Sequence, residues 1–309
     1  MIFLISAIVF SSLFSVIFKI CQQRGIDTRQ VILFNYVTGA VLTLVPVVTG
    51  LFLKEGIPLS DFSLDGVSYA CAALQGLLFM LGFVMMDRCV WRAGVALTTV
   101  ASKASLVLSV TLSWLAFRQN APAWIPVLLT LGSLLLIVLP AENQEHKGAH
   151  LTNKTDAQRK KRTMLLLAVV FCLYGVSDFF LKVSQHSVET EDSVISERRM
   201  SALMGMIFIV ASICSLIWCF LSGSFKKHKL GLSSILGGLV LGLVNALCTS
   251  SMLHALATIP TSIYYPSFNI GVVVLSTLLG LFVFKEKVKK IQVIGIFCAV
   301  VSILLFFVL

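Results

Sequence analysis

The sequence predicts an all-α membrane protein with ten transmembrane helices arranged as two inverted five-helix repeats, and three observations carry that expectation. The 309 residues are 58% hydrophobic and only 12% charged, whereas a soluble domain carries roughly a quarter charged residues. Apolar runs of the ~20 residues needed to cross a ~30 Å hydrocarbon layer recur along the chain. A basic polar stretch near the middle leaves five such runs on each side. With a mean hydropathy of +0.96, these features exclude a water-soluble enzyme, and no appended soluble domain is expected.

The first span, 2–20, opens Met-Ile-Phe-Leu-Ile and meets no charge before Lys19. A cleaved signal peptide would need a basic start and a small-residue cleavage site, so this helix is expected to stay in the membrane. Spans two to five follow at 30–53, 66–87, 95–117 and 123–140, bounded by charges or turn residues. The stretch 141–162, with Lys147, Lys154, Arg159, Lys160, Lys161 and Arg162, reads as a polar basic linker. It separates a first repeat, 1–140, from a second, 163–309, with spans at 163–183, 200–222, 233–255, 263–284 and 291–309. Residues 11–23 (SSLFSVIFKICQQ) laid over 174–186 (YGVSDFFLKVSQH) pair Lys19 with Lys182 and Gln22 with Gln185. WLAFRQN at 114–120 likewise lies over FVFKEK at 282–287. Together these matches favour duplication. Because five is odd, the second copy must sit upside down, the plan of many secondary transporters.

Charge divides unevenly between the two membrane faces. Loops after the odd-numbered spans, with Lys19, hold 18 Lys/Arg and 6 Asp/Glu, against 5 and 7 on the other face. The positive-inside rule makes the basic face cytoplasmic and places both termini outside. The net charge of +10 thus reports orientation, and no nucleic-acid partner is expected. The eight cysteines lie within or at the ends of apolar segments with no C-x-x-C pair; they read as small core residues, not disulfides or metal ligands.

Charged groups inside a bilayer are costly and ask for a partner or a wet cavity. Lys103 and Asp178 stand out in this respect. Ala101, Ser105, Ser109 and Ser113 repeat every four positions as a packing stripe, and Lys103 points about 200° away from Ala101, beside Thr99 and Ser102. Its bland alternative is a snorkelling lysine. Tyr174, Asp178, Lys182 and Gln185 share one helix face; Asp178 and Lys182 can be a simple i, i+4 ion pair or a proton-coupling element. Ser262, Tyr265, Asn269 and Ser276 form a polar stripe on the ninth span. Gln75 and Asn245 each admit two roles, interhelical glue or ligand contact. His254 is the one histidine within a span, and is open to proton carriage or to a satisfied place near the helix end. Tyr264 reads as an interfacial anchor.

The tail YYPSFNIGVVVLSTLLGLFVFKEKVKKIQVIGIFCAVVSILLFF (264–307) resembles the last two spans of EamA-type members of the drug/metabolite transporter superfamily, most specifically in FKEK at 284–287 and Ile-Gly-Ile at 294–296. The resemblance extends over the whole chain as ten spans in two repeats. TTVASKASLVLSVTLS (98–113) looks like the fourth span of the nucleotide-sugar and triose-phosphate branches, where a lysine serves the anionic substrate; this likeness implies that role for Lys103 alone. Phe34-Asn35-Tyr36 is only a fragment of the nucleotide-sugar signature. The family is usually drawn with cytoplasmic termini, opposite to the charge count, so orientation stays open.

The expected function is secondary active transport of a small polar metabolite, an anion in the sharper form, bound near mid-membrane between the halves and exposed to each side in turn. The expected contacts are Lys103, Gln75, Asn245, Tyr265 and Asn269, with Asp178, Lys182 and His254 available for proton coupling or ion pairing. One alternative is an EamA-like exporter of neutral or zwitterionic metabolites such as amino acids or drugs. Another, a membrane-embedded transferase, would need paired carboxylates or a His-Asp constellation at one face; none is evident, so no enzyme is expected. The sequence holds no P-loop, so ATP is not expected to drive the protein directly. No cofactor or metal is expected. The expected partners are a small-molecule substrate and the lipid bilayer of a bacterial inner membrane, with a homodimer left open.

Overall fold

The computed structural model describes residues 2–53, 62–117, 153–188, 190–227, 230–259, 261–285 and 290–308, with isolated helical positions between 125 and 136. Most of the fifth expected span and residues 141–152 of the linker lie outside the described residues. The described residues are helical, without a strand: α1 (Ile2–Gln23), α2 (Thr28–Leu53), α3 (Gly66–Ala104), α4 (Leu106–Phe117), α5 (Asn153–Val188), α6 (Ser193–Leu221), the one-turn α7 (Ser224–Lys227), α8 (Leu232–Thr258), α9 (Thr261–Phe282) and α10 (Lys290–Val308). Among them, seven stretches are long and apolar enough to cross a membrane: Ile2–Gln23, Thr28–Val45, Gly66–Val95, Leu97–Ala116, Lys161–Val188, Val194–Leu221 and Leu232–Met252. Two further apolar stretches, Ser267–Phe282 and Val293–Ser302, are shorter. The protein is an all-α, integral, multi-pass membrane protein. Large apolar side chains such as Leu128, Leu165 and Phe297 stand exposed, as suits helices that satisfy their own backbone and meet hydrocarbon.

Two boundaries differ from the sequence expectation, each for a local reason. The linker was expected to run to Arg162, but α5 already begins at Asn153. The segment NKTDAQRKKR has neither glycine nor proline and is rich in strong helix formers; its charges mark a membrane boundary, not a helix end. The loop expected between 87 and 95 shrinks to one residue. The helix continues past Asp87, Arg88 and Arg92, and only Gly94 departs from helical geometry, at φ 86° and ψ 173°. That conformation is essentially open to glycine alone. On either side of it, Cys89 and Ala101 join one core cluster with Leu167 and Val170 of α5.

The chain forms two compact units, one of Met1–Lys19, Met85–Gly175 and Cys248–Leu309, the other of Ile20–Val84 and Val176–Leu247. In the second unit α2 packs along α6. Tyr36 stacks on Phe83 at 5.6 Å and donates its hydroxyl to the Phe79 carbonyl at 2.6 Å. At the end of α2 that carries basic loops, the Arg29 guanidinium donates to the Ser222 carbonyl at 3.2 Å, and Ser224 donates to the Asp27 carboxylate. Gly238 and Gly242 of α8 face α2 with no room for a side chain. A Cβ on Gly242 would come within 2.6 Å of the Asn35 carbonyl, and one on Gly238 within 2.9 Å of the Val31 carbonyl. In the first unit, Leu4 and Ala7 of α1 pack with Ala255, Tyr264, Phe268 and Val272, and α9 lies against α10.

The start of α3 supplies a pH-dependent element outside the membrane span. The Ser68 backbone N–H donates to Asp65 at 2.8 Å, and hydrogen bonds from Ser68 hold the Asp65 carboxyl below its ordinary value. A carboxyl depressed on folding stabilises the protein above its unfolded pKa, about 3.9, and this contribution is lost as pH falls through the folded value. Asp65→Asn should therefore flatten the acid limb of a Tm-against-pH curve recorded in detergent; an acid limb identical to wild type would contradict the capping role.

Candidate substrate site

Lys103 sits in the last turn of α3, beside a break in the fourth expected span. Helix stops at Ala104 and resumes at Leu106, leaving Ser105 as a single residue outside it. Side chains explain the break. Ser105 Oγ donates to the Ser102 carbonyl, the acceptor that the N–H of residue 106 would use in an unbroken helix. Ser102 Oγ in turn donates to the Thr99 carbonyl at 2.9 Å. Such back-bonding by serine competes with the helical ladder. The N–H groups of Leu108 and Ser109 then both donate to the Ser105 carbonyl, at 2.9 and 3.1 Å. Irregular backbone at membrane depth is tolerated where protein surrounds it or where it lines a wet cavity.

The Lys103 ammonium lies 4.5 Å from the centroid of the Phe268 ring. Phe268 stacks on Tyr264 at 5.6 Å with an interplanar angle of 11°; Tyr264 is fully buried and Phe268 nearly so, while Lys103 itself is half-buried. A cation over an aromatic face gains about 0.5–2 kcal/mol, more as water is removed. One turn before Lys103, the Thr99 hydroxyl meets Ser15 of α1 at 3.2 Å. The Cys248 thiol of α8 donates to the Ala7 carbonyl at 3.7 Å. Asn269 follows Phe268 and is buried. These groups all belong to the first unit. Tyr265 lies on the same helix, its side chain outside the described residues. The expected packing stripe is buried throughout, at Ala101, Ser105, Ser109 and Ser113.

Of the other expected residues, His254 belongs to the first unit, and Asp178 and Lys182 to the second. Gln75 and Asn245 belong to the second unit. Gln75 donates to Ser177 at 2.9 Å and Asn245 donates to Asn35 at 3.3 Å, so both act as links between helices. Asp178 is exposed and Lys182 half-buried, one turn apart on α5. His254 stacks on Phe3 at 5.0 Å, and its Nδ1–H donates to the Ser250 carbonyl at 2.8 Å. All eight cysteines are free thiols. Phe268 escaped the sequence reading. The polar stripe on α9 drew attention to Tyr265 and Asn269, whereas Tyr264 and Phe268, four residues apart and one position round the helix, form the aromatic stripe that Lys103 meets.

No family model matches the chain. It is 28% identical over 302 residues to an uncharacterized protein of Haemophilus influenzae, an alignment covering 95% of this chain and 93% of that one. The likeness therefore runs through both expected repeats and the basic stretch between them.

Proposed function

We propose that the protein is a secondary active transporter of the drug/metabolite transporter type, EamA-like, with ten spans in two inverted repeats. In this account it carries a small anionic metabolite across the bacterial inner membrane by alternating access. The observation that supports the anion is the Lys103 ammonium, kept inside an apolar helical unit against an aromatic ring and beside a break in its own helix. A low dielectric strengthens the attraction of such a charge for a phosphate or carboxylate. Asn269 and Tyr265 orient the bound group. Gln75 and Asn245 are assigned to helix packing, on the strength of their hydrogen bonds to Ser177 and Asn35. Asp178, an exposed acid on an apolar helix, is the proton-coupling group in this account, and Lys182 its neighbour.

An unbiased uptake screen in proteoliposomes, with wild type and Lys103→Gln run side by side, tests the proposal. Anions that enter only with wild type support it. A screen in which only neutral or zwitterionic compounds enter, equally in both proteins, replaces it with the neutral exporter. With an anion in hand, Asp178→Asn should preserve exchange and remove any proton dependence.

A further inference from the structure

An aromatic face attracts an ammonium through the negative potential over the ring and leaves its charge in place. The Phe268 ring meets Lys103 in this way, 4.5 Å from the ammonium. The ring is itself fixed: it is 7% exposed, stacks on Tyr264 and packs in one cluster with Leu4, Ala7, Ala255 and Val272. Turning it away would require those neighbours to repack. Lys103, by contrast, has a long flexible stem and lies roughly 12 Å from the basic end of its span, within range of snorkelling toward that face.

We infer that Phe268 is the positioning residue for Lys103, its ring holding the charged ammonium where the anionic group of the substrate arrives. The inference rests on the anion-transport reading and adds to it a residue that touches the lysine instead of the substrate. Removing the ring while keeping the charge should weaken binding far more than turnover.

Two measurements test this. In protein with Trp91, Trp114, Trp124 and Trp218 replaced by phenylalanine, Phe268→Trp puts a fluorophore at the ring position, and its emission is expected to change when Lys103→Gln is added. Identical spectra with and without Lys103 would overturn the pairing. In proteoliposomes given radiolabelled inorganic phosphate or succinate, Phe268→Leu is expected to raise KM about two- to thirtyfold with Vmax within about twofold, and Phe268→Tyr, which keeps the ring face, to restore KM. A wild-type KM in Phe268→Leu, or no rescue by Phe268→Tyr, overturns the positioning role. If wild type takes up neither probe, that result counts against the transport reading, and the emission comparison, which needs no ligand, still decides the pairing.

Discussion

Lys103→Gln is expected to lower Vmax/KM for anion uptake by about a hundredfold or more, and Lys103→Arg to retain a measurable part of it. Truncating one side of a desolvated charge pair costs roughly 2–5 kcal/mol, and about 3 kcal/mol already corresponds to two orders of magnitude. Glutamine keeps length and polarity but supplies no charge to meet the anion. Arginine keeps the charge yet replaces a compact ammonium with a planar fork, which must fit over the Phe268 ring. Initial rates at several substrate concentrations, normalised to protein in the membrane, provide the comparison. Wild-type transport by Lys103→Gln would make this a snorkelling lysine and favour the exporter of neutral or zwitterionic metabolites.

The largest structural effect is expected from Gly238→Leu and Gly242→Leu. At these two positions the α8 backbone approaches α2 so closely that even a Cβ would meet backbone atoms: the Val31 carbonyl in one case, the Asn35 carbonyl in the other. Backbone cannot rotate aside as a side-chain tip can, so the helices must separate. Overpacking of this kind typically costs 1–3 kcal/mol for a few added methylenes, and separation also stretches the Asn245–Asn35 hydrogen bond. Each variant should lose several degrees of Tm in detergent, and the double variant should fail to accumulate as folded protein. Gly237→Ala is the control on the same helix: its Cβ would meet a methyl of Val31 at 3.3 Å, a contact that a small side-chain shift relieves. Equal losses at all three positions would show that the cost lies in helix α8 itself and not in its contact with α2.

Among the described residues, hydropathy located the helices because long apolar runs are a whole-segment property, insensitive to any one residue. It placed their ends poorly wherever charge and helix propensity disagree. Asn153–Arg162 and Asp87–Arg92 look like loops by charge, yet nothing in them breaks a helix, and both are helical. Gly94 was visible as a glycine, though not as the whole of a turn. The break at Ser105 was hidden because it depends on which way two serine hydroxyls point, and serine is as common inside such helices as at their breaks. Within the site, Lys103 announced itself by its cost in a bilayer. Phe268 did not, since one phenylalanine among 22 has no signature until the fold sets its ring against an ammonium. Asn245 and Gln75 were read two ways, and the partners that link each to a neighbouring helix, Asn35 and Ser177, could not be read from spacing.

The central claim, that the protein carries an anion by alternating access without nucleotide, is tested most directly by counterflow. Purified protein is reconstituted into vesicles free of ATP and preloaded with an unlabelled anion from the uptake screen, and the same labelled anion is then supplied outside at low concentration. The account predicts a transient accumulation of label above equilibrium, saturable and absent in Lys103→Gln, because a carrier that turns its loaded site from side to side exchanges faster than it returns empty. Label that never rises above equilibrium in the wild type, or that rises only when ATP is added, would contradict it.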